Sequence, residues 1–141
     1  MNLGSEDFAL SAGMLPEEEG LFQPTLQVML AARAAGVLPL GFVGTIAEYR
    51  DTELFRARAE QAARLGFLGS ACIHPLQVDI LNQAFTPSEA AVQQAHGIIA
   101  AYDEAKAAGR GSIEFDGRMI DEPIIQRAES ILDRAARIAA R

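Results

Sequence analysis

Few residues of this chain have types and settings suited to chemistry: Asp7, the pair His74-Pro75, and Asp121. Asp7 ends a Gly4-Ser5-Glu6-Asp7 stretch that reads as a strand end running into a loop. In parallel α/β proteins ligands gather at the C-terminal ends of strands, so a carboxylate there is placed to hold a divalent cation. Mg²⁺ suits such a position, because it takes one or two carboxylates and fills its remaining sites with water and substrate oxygens. The same carboxylate can instead solvate or cap its loop. His74 closes an apolar run, either as a hydrogen-bonded rim residue or as a base. Asp121 follows Ile120 and precedes Pro123, where apolar neighbours would partly desolvate a carboxylate and fit it for proton transfer. Asp116, directly before Gly117, reads as a turn residue.

Other chemistries find no support. One cysteine and two distant histidines do not make a zinc pattern, and no Gly-rich phosphate loop is present. Cys72 reads as packing inside a strand, and His96 as a surface residue of a helix.

The elements that must position these residues follow from pattern and punctuation. After the Gly4 stretch, Glu17-Glu18-Glu19 favours a helix start over 21–35, with Pro24 expected in its first turn, near Phe22 or Gln23, and Gly36 as its stop. The apolar run 37–46, with Gly41 and Gly44, predicts a buried parallel strand. Asp51 is placed to cap a helix that ends at Gly66, and 67–73 predicts a further buried strand. Leu76, Ile80, Leu81 and Ala84 have helical spacing. Thr86-Pro87-Ser88-Glu89 has the form of a capping box with Thr86 as N-cap, opening a helix that runs to about Ala108. Gly109 to Ser112 reads as a flexible connector, Asp116-Gly117 as the turn of a short strand pair, and Pro123 onward as an amphipathic helix. The order strand, helix, strand, helix, strand is that of a parallel α/β sheet.

Composition narrows the classes. Twelve basic residues against nineteen acidic ones give a formal net charge of −7, which argues against a nucleic-acid surface. A small polyanionic ligand is not excluded, since a few local basic side chains suffice for it. A single cysteine fits a reducing, cytoplasmic setting, and the N-terminus has no secretory pattern. No apolar run approaches the roughly 20 residues of a membrane span.

The runs Gly4 to Phe8, Phe67 to Gln77, Phe85-Thr86-Pro87-Ser88 and Asp116 to Pro123 together resemble successive landmarks of the citrate lyase β-subunit-like (HpcH/HpaI aldolase) superfamily. The resemblance spans nearly the whole chain and implies the C-terminal half of such a protein. Residues 1–85 would form part of a TIM (β/α)8 barrel, about three parallel strands with helices, and 86–141 a C-terminal helical extension or lid. It further implies a Mg²⁺-dependent carbon–carbon lyase of acyl-CoA thioesters of the citryl-, malyl- or citramalyl-CoA type, whose other partner is a small oxo or hydroxy acid. By this similarity Asp7 is a metal ligand, Asp121 the catalytic acid presented to a neighbouring subunit, and His74 and Pro75 substrate-binding residues at the CoA entrance. The second metal ligand belongs to an earlier strand. An oligomer of the family's trimeric type, or association with an N-terminal half, is expected to complete the site. The alternative is a non-catalytic remnant or interaction module that docks on a full-length homologue. Family patterns often carry an aspartate where this chain has Gly41, which bears on the substrate subtype.

Overall fold

A computed structural model of the chain describes residues 1–47, 50–109 and 113–140. Contacts divide it into two units, Met1–Phe85 and Thr86–Arg141.

The first unit holds helices α1 (Ser5–Ala12), α2 (Glu18–Ala34), α3 (Thr52–Leu65) and α4 (Pro75–Phe85). Local chemistry sets their limits. Asp51 caps α3 by accepting from Leu54 N at 3.0 Å, and Gly66 ends it. Phe55, Ala59 and Ala62 are buried at helical spacing, so α3 presents one apolar stripe to the core. Met29, Phe42, Phe67, Ile80, Leu81 and Phe85 close around that stripe, and the Phe42 and Phe55 rings meet edge to face, 5.2 Å between centroids.

Between the helices run three extended segments. The Met1 amino group donates to Leu38 O at 2.5 Å, and Leu40 N donates to Met1 O at 2.9 Å. One residue bonded to positions on either side of its partner is the parallel pattern. On the other flank Leu68 N donates to Pro39 O at 3.0 Å and Gly41 N to Gly69 O at 2.9 Å, again with both chains advancing in the same direction. The pairing is that of an α/β layer with helical crossovers.

Several expectations need correction here. Neither 37–46 nor 67–73 forms a regular strand among the described residues. Gly41 and Gly44 have φ of 125° and 122°, outside the β region of L-residues, and bend the chain out of register. In 67–73 only Phe67 is buried; Ile73 is 60% exposed and Cys72 is exposed, so Cys72 does not pack in a core. The 4–8 stretch enters helix α1, favoured by Glu6 and Asp7 in its first turn, instead of extending as a loop. Helix α2 starts at Glu18, leaving Pro24 inside it; the carbonyl that loses its donor is that of Gly20, four residues back.

The second unit contains α5 (Glu89–Ala107), the hairpin β1 (Ile113–Phe115) and β2 (Arg118–Ile120), and α6 (Glu122–Ala139). Ser88, not Thr86, is the N-cap of α5, its hydroxyl accepting from Ala91 N at 3.2 Å. Both hydroxyl residues have cap chemistry, and the helix begins after the second of them. The strands pair antiparallel with Ile113 opposite Ile120 and Phe115 opposite Arg118. Asp116 and Gly117 both have positive φ, 49° and 70°, which makes the turn type I′. Ala95, Ile98, Ile120, Ile125 and Ala128 form the core of this unit. Gly97 lets the hairpin lie close, since a Cβ there would stand 2.4 Å from Phe115 Cζ. Of the expected connector Gly109 to Ser112, residues 110–112 lie outside the described residues. No helix among the described residues is long and apolar enough to cross a membrane.

Candidate functional site

Each of the three parallel segments leads into a residue group with polar chemistry. The first enters α1 at Glu6 and Asp7, the second reaches Thr45 and Ile46, and the third reaches Ile73, His74 and Pro75. These are the C-terminal ends of the segments, where parallel α/β proteins gather ligands.

Hydrogen bonds join the three ends in series. Thr45, buried, donates its hydroxyl to Glu6 Oε1, and the same hydroxyl accepts from Ala47 N at 3.1 Å. Gln77, on the first turn of α4 and 1% exposed, donates from Nε2 to Ile46 O at 3.1 Å. Its Oε1 accepts from Ile73 N at 2.9 Å and His74 N at 3.2 Å. His74 Nδ1 in turn accepts from Leu76 N at 3.2 Å, which puts the proton of the neutral ring on Nε2.

The structure therefore brings Asp7, His74 and Pro75 to one end of the first unit. Asp7 is exposed on α1, beside the Glu6 that Thr45 engages, and Pro75 is exposed at the start of α4. The polar groups at the α1 and Thr45 ends are carboxylate and hydroxyl oxygens, the donor class that Mg²⁺ prefers. Asp7 is an exposed carboxylate of that class. Among the described residues, no group of three or more His, Cys, Asp or Glu could hold a metal ion by itself.

Asp121 belongs to the second unit. It is exposed, so the flanking Ile120 and Pro123 do not enclose it as the sequence suggested. Its carboxylate caps α6, with Oδ1 accepting from Ile124 N at 3.4 Å, and Pro123 occupies the second helical position, where a missing N–H costs nothing. This gives a clean separation of roles. Asp121→Asn, which retains a capping oxygen, is expected to leave stability nearly unchanged, whereas Asp121→Ala should cost about 1 kcal/mol. Urea unfolding of the two variants measures the difference; equal losses would contradict the cap.

Gln77, Thr45 and Glu6 were not singled out by sequence reasoning. Gln77 had a signal: it stands three and four residues before Ile80 and Leu81, a polar side chain on the apolar face of a helix. Thr45 and Glu6 carry no such mark.

No family model matches the chain. It is 38% identical to the L-malyl-CoA/beta-methylmalyl-CoA lyase of Cereibacter sphaeroides, over 99% of this chain and 49% of that protein. It is likewise 38% identical to a citrate lyase subunit beta-like protein of Deinococcus radiodurans, over 94% of this chain and 47% of the relative. Among solved structures it resembles the CitE protein of Mycobacterium tuberculosis in complex with magnesium, acetoacetate and coenzyme A, with TM-score 0.64, 32% identity, and coverage of 79% of this chain and 40% of that one. The fold is also that of a citrate lyase from Burkholderia xenovorans LB400, at TM-score 0.68 and 24% identity. Fold and site define an α/β protein with polar segment ends on one side. The chain belongs to the citrate lyase β-subunit-like family, and it spans about half the length of the curated relatives it matches.

Proposed function

We propose that these residues form the C-terminal part of a Mg²⁺-dependent carbon–carbon lyase acting on acyl-CoA thioesters. In this reading residues 1–85 are the last segments of a TIM (β/α)8 barrel and 86–141 its helical extension. The observation that carries it is the joined set of segment ends holding Asp7 and His74, in a chain homologous throughout to malyl-CoA and citrate lyase β-type proteins.

Asp7 supplies one carboxylate to the cation. Mg²⁺, when bound, would polarise the oxygen of the oxo or hydroxy acid. Asp121, presented to a neighbouring subunit's site, moves the proton that the thioester α-carbon gains in cleavage and loses in condensation. His74 and Pro75 line the approach of the CoA chain. The enzyme is cytoplasmic, and it works as an assembly that covers the apolar surface Val37, Leu38 and Ile73 expose beside the paired segments.

One carboxylate holds Mg²⁺ only weakly. The isolated chain of 141 residues is therefore expected to bind Mg²⁺ weakly and to show no cleavage of malyl- or citramalyl-CoA. Calorimetric titration and a lyase assay measure both. Turnover above that of an Asp7→Ala control would overturn the requirement for further residues.

A further inference from the structure

We propose that Gln77 is a positioning residue of this site, whose amide locks the segment end carrying His74 to the segment end carrying Thr45 and Ile46. The proposal rests on the reading of this end as the reactive one, while its test does not.

An amide has one oxygen with two lone pairs and one NH₂ group, and this geometry uses both ends. Oε1 receives two backbone N–H groups, from Ile73 and His74, and Nε2 donates to the carbonyl of Ile46. Only one orientation of the amide satisfies all three partners. Gln77 N also donates to His74 O at 3.0 Å, so His74 is held to the same residue through both its N–H and its C=O.

The setting explains why a side chain does this. Neither end lies in a regular strand, so these backbone groups have no ladder to satisfy them, and a buried polar group without a partner is costly. Gln77 takes the place of the missing ladder. Because Ile46 follows the Thr45 that engages Glu6, the amide also fixes the backbone of His74 relative to the helix bearing Asp7.

The substitutions separate this role from ordinary packing. Gln77→Met keeps length and fills the volume but offers no strong acceptor to Ile73 and His74 and no donor to Ile46. Gln77→Glu keeps an acceptor for the two amides, yet its carboxyl can donate to Ile46 O only when protonated.

NMR on the whole chain, without metal or thioester, provides the test. In Gln77→Met the Ile73 and His74 amides are expected to exchange at least about tenfold faster, while Ala59 and Ala62 in α3 keep their wild-type rates. In Gln77→Glu the Ile46 carbonyl carbon shift should follow ionisation of the introduced carboxyl, with no such titration in the wild type. Unchanged exchange at Ile73 and His74, or equal acceleration across α3, would overturn the proposal. If Gln77→Met does not fold, Gln77→Glu decides alone, and a pH-independent Ile46 signal overturns it. A negative Mg²⁺ or lyase result leaves these signals untouched, so the two readings fail separately.

Discussion

Replacing Phe67 with alanine is expected to destabilise the Met1–Phe85 unit by about 3–5 kcal/mol. Phe67 is 1% exposed and sits in the cluster of Met29, Phe42, Phe55, Ala59, Ala62, Ile80, Leu81 and Phe85. Truncation removes the transfer free energy of the ring and leaves a cavity that these side chains, fixed by three different helices and an extended segment, close only in part. A unit of this size is stable by about 4–13 kcal/mol in total, so the loss takes a large share of it. Urea unfolding followed by circular dichroism should show a lower midpoint at an unchanged slope. A loss below about 1 kcal/mol would mean that Phe67 does not hold the third segment on the core.

The second large effect concerns activity. In an assembled enzyme, Asp7→Asn is expected to lower kcat/KM by about a hundredfold or more, equivalent to about 3 kcal/mol of transition-state stabilisation. The neutral amide keeps the shape of the side chain but loses the charge proposed to hold the cation. Stability should barely change, because Asp7 is exposed and its interaction with the N-terminus of α1 is worth only about 0.3–1 kcal/mol. The apparent Mg²⁺ requirement should rise with the loss, which separates a metal ligand from a residue that only favours the start of α1. A variant with wild-type kcat/KM and the same Mg²⁺ dependence would remove Asp7 from the metal site.

How much was legible in the sequence depended on how local the signal is. Helix α3 was readable because Asp51 and Gly66 bracket an apolar stripe, and the hairpin because Asp116-Gly117 dictates its turn. The family was readable because its landmarks are short runs in a fixed order, and the relatives support that reading. The regularity of the segments was not readable, since it depends on the φ adopted at Gly41 and Gly44. The start of α1 was missed because a Gly-Ser pair signals a turn as strongly as a helix entry. Of the site, Asp7 and His74 were chosen for residue type and place. The hydrogen bonds that link their segments run through Thr45 and Gln77, whose partners lie 39 and 31 residues away, beyond the reach of any local pattern. Asp121 shows the converse: its local role as the α6 cap was not read from the sequence and emerges from the structure, while its proposed chemistry lies in a contact with another chain.

These residues are proposed to supply part of a Mg²⁺-dependent CoA-ester lyase site that further residues complete. The most direct measurement is cleavage of malyl-CoA by this chain co-purified with the N-terminal half of the Cereibacter sphaeroides relative, with each part alone as control. Turnover is expected to need both parts, to disappear on chelation of Mg²⁺ and to be lost in Asp7→Asn. A stable complex of the two parts without turnover, or turnover indifferent to chelation and to Asp7→Asn, would contradict it.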